Sequence, residues 1–241
     1  MEVYWLEQSQ ADVPAHNDWL SANEVVCLNA MRFAKRRVDW RLGRWTAKHA
    51  LSIYLDVPSR LQVFKKMELR PAPSGAPEAF FDDQPAAVTI SLSHRAGIAA
   101  CAVAVAGAEL GCDLEIIEPR SDAFVADYFT LEEQELFARV SVADRTRNLA
   151  LLWSGKESAL KALHEGLRLD ARSVVVRPSD AAPDLHGWSP MQVRQTDRRT
   201  FHGWWQHEDS IVRTLVAAPP PDPPIRLRIP EYAPAAASRC A

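Results

Sequence analysis

The sequence predicts an α+β fold built from two similar halves, a pseudo-dimer, with the active site in a cleft between them. Helical patterns are followed by strand-like runs, and the same order recurs after a junction near Gly107. The chain has 241 residues, of which 47% are hydrophobic and 24% charged, as in a globular protein with an adequate core. We expect an N-terminal half over residues 1–107, a C-terminal half over 108–218 and an extended or disordered Pro/Ala-rich tail over 219–241.

The first half is predicted to contain a strand, a long helical region and a pair of strands. The strand covers Val3 to Leu6, and the helical region runs from about Asn23 to Leu55 with a break near Asp39 or Gly43. A loop dense in Pro, Gly and Asp, RPAPSGAPEAFFDDQPAA, follows. The paired strands, VTISLS and IAACAVAVA, are joined by the turn HRAG.

The second half is predicted to begin with a strand, ELGCDLEII, and to continue with helices and further strands. Thr130 and Glu133 form a capping-box pattern for the helix TLEEQELFARV. A longer helix extends from about Asp144 to His164 and ends near Gly166. The strand-like runs that follow are SVVVR, PMQVRQ, FHGWWQ and SIVRTLVAA.

The composition favours a cytoplasmic protein that does not enter a membrane. The most apolar run, Ile98 to Ala106, is too short to cross a bilayer, and MEVYWLEQSQ lacks the basic segment of a signal peptide. The four cysteines have no CxxC spacing, which favours buried thiols over disulfides or a zinc site, and the histidines have no ligand spacing. We expect a monomer, because both halves lie in one chain.

A cluster of positive charge lies between Arg32 and Lys48, where seven Lys or Arg accompany a single acid, Asp39. This cluster is either a solvated helix face or a phosphate-binding face. The interleaved Trp40 and Trp45 would also suit a nucleic-acid surface. The net charge of −3 and the lack of another nucleic-acid motif disfavour that third interpretation.

Two short motifs carry groups that could bind metal or phosphate. In GCDLE, Asp113 and Glu115 lie two residues apart and so share one face of a strand, where a cation such as Mg²⁺ would offset their repulsion. An exposed acidic strand edge is the alternative. SLSH ends a strand with Ser93 and His94, which can donate to phosphate oxygens, but the GxSxG pattern of a hydrolase nucleophile is missing.

A third motif, WSGKESALKAL, places Trp153, Glu157 and Lys161 on one face of the long helix at intervals of four residues. An amphipathic helix with a Glu–Lys surface pair is the alternative. Lys156 belongs either to the site or to a structural ion pair with an acid of GCDLE, and Trp153 is expected to pack rather than to contact a ligand.

In their order along the chain, these motifs resemble the 4′-phosphopantetheinyl transferases of the larger, two-domain type that activate peptide and polyketide synthases. RRVDWRLGRWTAK is similar to that family's R-x-D-W-x-x-G-R-x-x-x-K block, SGAPEAFF to its G-K-P loop and SLSH to its S-x-S-H turn. GCDLE is similar to its G-[IV]-D-[IL]-E and WSGKESALKALHEGL to its W-x-x-K-E-[AS]-x-x-K. The resemblance covers about Met31 to Gly166, with one departure: Ala76 replaces the lysine of the family's loop.

The resemblance implies transfer of the phosphopantetheine arm of coenzyme A to a serine of an apo acyl or peptidyl carrier protein, with release of 3′,5′-ADP. It implies that Asp113, Glu115 and Glu157 hold Mg²⁺ or Mn²⁺. Glu157 would also take the serine proton, and Lys161 would offset charge on the pyrophosphate. A coenzyme A-binding module without catalysis and a metal-dependent phosphohydrolase are the rival interpretations.

For coenzyme A, the resemblance implies that Arg44 and His94 hold the 3′-phosphate, with Arg37 and Lys48 as weaker candidates from the same basic face. A further hydroxyl, that of Ser93, would donate to the pyrophosphate.

The loop and the aromatic residues have separate expected roles. Gly75 would let the loop backbone approach the adenine. Phe124, Tyr128 and Phe129 lie between the acidic motifs and either form a rim for the acidic carrier protein or belong to the core, which we prefer.

Overall fold

The structure, a computed structural model, describes residues 1–196 and 199–230. The α-helices in these residues are α1 (Ala22–Ala30), α2 (Ala34–Tyr54), α3 (Leu61–Phe64), α4 (Asp122–Tyr128), α5 (Leu131–Arg139) and α6 (Val142–Ala162). The β-strands are β1 (Tyr4–Ser9), β2 (Met67–Pro71), β3 (Pro77–Phe81), β4 (Gln84–Pro85), β5 (Val88–Arg95), β6 (Ile98–Val105), β7 (Glu109–Ile116), β8 (Val174–Pro178), β9 (Ser189–Gln195), β10 (Thr200–Glu208), β11 (Ile211–Ala218) and β12 (Ile225–Arg226).

The N-terminal half is a sheet of order β12-β1-β6-β5 with α2 packed across β1 and β6. Alternation along β1 sends Trp5 to one face and Leu6 to the other, and Leu6 enters a core with Trp19, Trp45 and Phe64. A separate small sheet, β2-β3-β4, packs at the side of β5. Burial of these large aromatic rings, together with the aliphatic residues of the same core, stabilises this half.

The C-terminal half is an antiparallel sheet of order β7-β11-β10-β9-β8, with α6 packed across β7 and β11. Its core contains Phe129, Leu160, Val193 and Phe201. Both halves therefore begin with a strand, cover it with a helix of 21 residues and pair it antiparallel with a later strand. This arrangement confirms the predicted α+β pseudo-dimer.

The two main sheets meet at β5 and β7, where serine hydroxyls take the place of a backbone ladder. The Cys112 amide donates to Ser91 Oγ at 2.9 Å, and the Leu114 amide donates to Ser93 Oγ at 3.2 Å. Buried backbone N–H groups need an acceptor, so these hydroxyls join the halves without leaving amides unpaired. The junction fixes where β7 lies relative to β5.

Gly111 allows α6 to lie directly on β7. A Cβ atom at this position would fall 1.8 Å from the backbone oxygen of Ser158, which is far inside van der Waals contact. Only glycine therefore permits this approach. The close contact brings the side chains of α6 next to those of β7 at the junction.

The helical region breaks earlier than predicted. Met31 and Phe33 have extended backbone angles that end α1 and begin α2, whereas α2 continues unbroken through Asp39 and Gly43. Packing of α2 on the sheet outweighs the cost of about 1 kcal/mol for a helical glycine. Local propensity alone therefore placed the break wrongly.

Two further differences from the sequence-based prediction are the β2–β3 hairpin and α4. The Pro-rich segment predicted as a loop pairs Pro71 with Pro77 around a turn in which Gly75 has φ +90°. Helix α4 covers residues for which the sequence analysis predicted no element, and Ser121 caps it by accepting from the Phe124 amide. The Thr130–Glu133 capping box of α5 is confirmed.

The described part of the predicted tail, residues 219–230, runs beside β1. Tyr4 pairs in parallel with Ile225, and the Met1 amino group donates to the Pro220 carbonyl at 2.8 Å. Residues 231–241 lie outside the described residues. Cys101 and Cys112 are buried free thiols, as predicted, while Cys27 is exposed. Among the helices described, none is both long and apolar enough to cross a bilayer.

Candidate active site

The predicted acidic residues lie at the junction of the halves. Asp113 and Glu115 are on β7, where the residues are 6% and 9% exposed, and Glu157 and Lys161 are on the face of α6 above them. Because side chains alternate on a strand, Asp113 and Glu115 share the face of β7 that α6 covers. The alternative of an exposed acidic strand edge is therefore wrong.

Asp113 is held by three hydrogen-bond donors, one from β5 and two from α6. Its Oδ1 accepts from Ser93 Oγ at 2.8 Å and from Lys161 Nζ at 2.7 Å. Its Oδ2 accepts from Ser154 Oγ at 2.9 Å, and Ser154 is in turn 2.8 Å from the hydroxyl of Thr214. These bonds give both carboxylate oxygens of a buried acid a donor and fix its orientation.

Glu115 has a second set of partners. Trp153 Nε1 donates to its Oε1 at 3.1 Å, and Arg120 Nη2 donates to its Oε2 at 3.0 Å. Arg95 Nε lies 3.5 Å from the same Oε2. Burial and the charge of Asp113 raise the pKa of Glu115, and the two arginines act against them. Both arginines thus offset the negative charge of Glu115.

Glu157 differs from the other two acids, because it makes no hydrogen bond or ion pair with any described residue. Burial and the charge of Asp113 raise its pKa to about 7, with a smaller contribution from Glu115, while Lys161 acts in the opposite direction. A carboxyl group with this pKa exchanges its proton near neutral pH. Glu157 is thus free to accept a proton or a cation.

Lys161 donates to Asp113 and also to the Cys112 carbonyl at 3.0 Å. Burial lowers the pKa of Lys161, but the charge of Asp113 outweighs this effect and the net pKa is raised. The side chain, 27% exposed, is therefore a fixed positive charge at neutral pH.

The donor chemistry of the three acids fits a hard divalent cation, which prefers carboxylate oxygens. Within the described residues, no group of three or more His, Cys, Asp and Glu side chains converges as a metal-binding cluster. Asp113 and Glu115 are turned to their own donors, and Glu157 is unpaired. A half-buried unpaired carboxylate beside two others is a group that a cation would stabilise.

Of the residues predicted to hold the 3′-phosphate, His94 is next to Ser93 on β5, and the charge of Asp113 acts on its pKa. Its side chain is exposed, and desolvation of the ring by neighbouring atoms lowers its pKa. Lys161 and Lys35 act in the same direction, whereas Asp39 and Asp113 raise the pKa. Lys35 and Asp39 of α2, which pair with each other at 3.2 Å, thus both act electrostatically on His94.

Arg44 and Arg37 lie further along the basic helix. The Arg44 guanidinium stacks on Trp40 at 4.4 Å and donates to the Leu69 carbonyl at 3.4 Å. Its buried Nε has no hydrogen-bond partner among the described residues. Arg37 is exposed. The Nε donor of Arg44, which has no partner in the described part of the chain, suits an anion.

Lys48 is not on the basic face, which corrects the expectation that it binds phosphate. Its side chain is fully buried and forms an ion pair with Glu24. It also donates to the carbonyls of Phe64 at 2.8 Å and Trp19 at 3.2 Å. With its donors used inside the core, Lys48 is a structural residue.

Lys156 is also structural, although its partner differs from the expected one. Its fully buried Nζ lies 2.7 Å from Glu133, the capping acid of α5, and donates to the Ala171 carbonyl at 2.9 Å. Lys156 therefore lies on a face of α6 that contacts Glu133 and Ala171 rather than the acids of β7. Of the acids in GCDLE, Asp113 pairs with Lys161, and Glu115 pairs with Arg95 and Arg120.

Ser93 and Gly75 occupy different parts of the junction. The single proton of Ser93 is donated to Asp113, so this serine orients the acid in the present structure. Gly75 borders a cavity of about 260 Å³ that is also lined by Lys161 and His164. The loop of the first half and the end of α6 thus enclose a space beside the acidic site.

The aromatic residues before α5 are divided between surface and core. Phe129 is buried, as preferred, whereas Tyr128 is 37% exposed. Phe124 and Tyr128 both pack edge-on against Trp153, at 5.1 and 5.0 Å between ring centroids. Trp153 therefore packs, as predicted, and also donates to Glu115, which was not predicted.

Several residues of the site were missed by sequence reasoning. They are the groups that hold the acids or face His94: Lys35, Arg95, Arg120 and Ser154. Ser154 lies one residue after Trp153 and three before Glu157, a helical spacing that could have placed it near the site. The arginines offered no such signal, because they reach Glu115 from loops and strand ends.

Comparison with protein families gives a match over residues 109–218 to the model of the 4′-phosphopantetheinyl transferase superfamily. The matched segment runs from β7 to β11 and contains all four candidate residues on β7 and α6. No curated protein matches the chain significantly. Similar solved structures include a holo-(acyl-carrier-protein) synthase from Bacillus anthracis str. Ames in complex with CoA (3′,5′-ADP), with 20% identity, coverage of 43% of this chain and 94% of that chain, and a TM-score of 0.36.

The segment that carries these acids and Lys161, residues 109–218, is therefore similar to the 4′-phosphopantetheinyl transferase superfamily.

Proposed function

We propose that the protein transfers the 4′-phosphopantetheine group of coenzyme A to a serine of an apo carrier protein and releases 3′,5′-ADP. The observation that carries the proposal is the Lys161–Asp113 ion pair beside the unpaired Glu157, within the segment matched by the family model. The acceptors that we propose are carrier domains of peptide and polyketide synthases, because the motifs resemble that branch of the family. We propose a cytoplasmic monomer.

Asp113, Glu115 and Glu157 are the residues that would hold Mg²⁺ or Mn²⁺. Such a cation, when bound, neutralises charge on the pyrophosphate of coenzyme A. Ser93, Ser154 and the other donors to the acids keep the carboxylates in place before any ligand arrives.

Glu157 is the proposed base. The serine oxygen of the carrier attacks the β-phosphorus of coenzyme A, and the bond from that phosphorus to the bridging oxygen breaks as 3′,5′-ADP leaves. The proton of the serine passes to a carboxylate oxygen of Glu157, which has no competing hydrogen bond among described residues. A pKa of about 7 suits this role, because such a base is partly ionised and still binds a proton well.

Lys161 supplies a fixed cation for the reacting phosphates. Its bonds to Asp113 and to the Cys112 carbonyl hold it in place, so no reorganisation is needed as negative charge builds on the pyrophosphate. The raised pKa keeps it protonated over the pH range in which Glu157 can act.

The 3′-phosphate of coenzyme A is proposed to bind between the basic helix and β5. Lys35 acts on His94 through its charge, Arg44 has a buried Nε without a partner among the described residues, and Arg37 is exposed on the same helix. Lys35 joins the candidates because its charge acts on His94, and Lys48 is removed because it is buried. The backbone at Gly75 would contact the adenine.

The carrier protein is proposed to approach over α4 and α5. Tyr128 and Leu131 are 37% and 78% exposed there, and Tyr128 contacts Trp153, whose indole holds Glu115. An apolar rim beside the acids would place the carrier serine near Glu157.

The test is an intact-mass measurement on apo carrier domains incubated with the protein and coenzyme A, with Mg²⁺ and with a chelator. We expect a gain of one phosphopantetheine group only when metal is present, and none with Glu157→Gln. Lys66→Met, which changes an exposed lysine paired with Asp82, is the control and should keep full transfer.

A metal-dependent release of pantetheine phosphate without modification of any carrier would contradict the proposal and indicate a phosphohydrolase. Coenzyme A binding without either reaction would indicate a binding module.

A further inference from the structure

The turn between β2 and β3, here called the clasp loop (residues 72–76), is compact but attached to its own half only by its ends. The Ala72 amide donates to the Ala76 carbonyl and the Gly75 amide to the Ala72 carbonyl, both at 2.8 Å. The Ala76 amide donates to Ser74 Oγ at 3.3 Å. No side chain in the segment PAPSGAP is ionisable, so the loop brings no charge of its own.

One hydrogen bond joins the clasp loop to the C-terminal half among the residues described. Arg168, in the 3-10 turn Gly166–Arg168 that follows α6, donates from Nη2 to the Ser74 carbonyl at 2.8 Å. The same guanidinium donates to the His164 carbonyl at 2.9 Å and, through Nε, to the Glu165 carbonyl at 3.2 Å. Three carbonyls from both halves are therefore held by one side chain.

The chain just before Arg168 is shaped to make this contact. His164 and Gly166 have positive φ angles of 58° and 52°, and the Glu165 amide donates back to the Leu160 carbonyl at 3.1 Å. These angles turn the chain sharply after α6. A cation beside the carbonyls at a helix C-terminus is also electrostatically favourable.

The clasp loop closes one side of the cavity beside the candidate active site. The cavity has a volume of about 260 Å³ and lies between Ser74, Gly75 and Ala76 on one side and Lys161, His164 and Gly166 on the other. Arg168 links these walls where they approach. Without it, the described residues contain no other hydrogen bond that sets the distance between the clasp loop and α6.

We propose that Arg168 is a positioning residue that ties the clasp loop to the end of α6 and so sets the width of the coenzyme A cavity. This inference rests on the proposed function only for the identity of the ligand. Arg168 keeps the loop backbone in place and brings a positive charge to a loop that has none. A preorganised wall binds an anionic ligand more tightly, because no loop entropy is lost on binding.

Hydrogen exchange of the free protein tests, without any ligand, whether Arg168 holds the clasp loop in place. We expect Arg168→Ala and Arg168→Lys to speed exchange in peptides that cover residues 71–77, since a lysine cannot reach carbonyls on both sides in the same way. Arg172→Ala is the matched control, because Arg172 is similarly exposed and, among the residues described, its side chain pairs with Asp170 and not with the clasp loop. Unchanged exchange in Arg168→Ala would overturn the proposal.

Calorimetric titration with coenzyme A, together with transfer kinetics, tests the consequence. We expect about tenfold weaker binding of coenzyme A in both Arg168 variants, as for loss of a charge-assisted hydrogen bond, with kcat and the KM for the carrier little changed. Wild-type affinity in Arg168→Lys, or a change confined to the carrier KM, would refute the clasp. If the wild-type protein bound no coenzyme A, the proposed function would fail. The hydrogen-exchange comparison would still show whether Arg168 holds the clasp loop in place.

Discussion

Ser93 of the N-terminal half donates a hydrogen bond of 2.8 Å to Asp113 of the C-terminal half. The same Ser93 oxygen accepts from the Leu114 amide, so one hydroxyl both joins the sheets and orients an acid. The candidate active site is therefore complete only when the halves are joined. A substitution that disturbs the junction between β5 and β7 should therefore lower catalytic activity even if no contact with a ligand is lost.

Replacing Ser93 by alanine should reduce both stability and transfer. The substitution leaves the Leu114 amide unpaired and removes a donor from Asp113, which should cost about 1–3 kcal/mol and lower kcat. Ser91→Ala is the control, because Ser91 accepts from the Cys112 amide but does not touch Asp113. Urea unfolding and kcat are to be measured together; an equal loss of kcat in both variants would show that Asp113 does not need Ser93.

Replacing Glu157 by glutamine should abolish transfer and stabilise the metal-free protein at alkaline pH. Burial raises the pKa of Glu157 to about 7, so its contribution to stability is complete below its ordinary pKa of 4.5 and is lost as the pH rises through 7. Glutamine carries no charge, and the variant should exceed the wild type by roughly 1–3 kcal/mol at pH 8.

The measurement for this variant is urea unfolding in the presence of a chelator at pH 5 and pH 8. The two proteins should differ little at pH 5, where Glu157 is protonated in the folded state. A wild-type protein that is as stable as Glu157→Gln at pH 8 would contradict the assigned pKa.

Gly111→Ala should be severely destabilising. The added methyl group would lie 1.8 Å from the Ser158 backbone oxygen, so α6 would have to move away from β7 at a cost of about 3 kcal/mol or more. Gly43→Ala is the control: nothing lies within 4 Å of its Cβ position, and alanine in a helix should add about 1 kcal/mol of stability. The melting temperatures of both variants, from thermal unfolding, test this prediction. Similar values for the two variants would exclude close packing of α6 on β7 at Gly111.

Lys156→Met should unfold the protein more readily rather than change its chemistry. The substitution leaves Glu133 buried without its cation, which typically costs about 3–5 kcal/mol. Lys66→Met breaks an exposed pair and should cost less than about 1 kcal/mol. If Lys156→Met kept its stability but lost transfer, Lys156 would belong to the active site after all.

The spacing of residues determined much of the site in advance. Asp113 and Glu115 had to share a face of a strand, and Glu157 and Lys161 had to share a face of a helix, because those periodicities are set by backbone geometry. The capping box at Thr130 and the repeated order of helix and strands are local features for the same reason. These patterns were enough to predict the pseudo-dimer and its acidic residues.

Only the tertiary structure decided which of two similar residues is buried in the core and which lies in the candidate site. Lys156 and Lys161 lie on the same helix, yet one is buried against Glu133 and the other contacts Asp113, because α6 packs with one face on the core and one at the junction. Lys48 likewise turned inward to Glu24, although its neighbours form a basic surface. A sequence records periodicity along one element, whereas burial and ion pairing depend on what another element places opposite it.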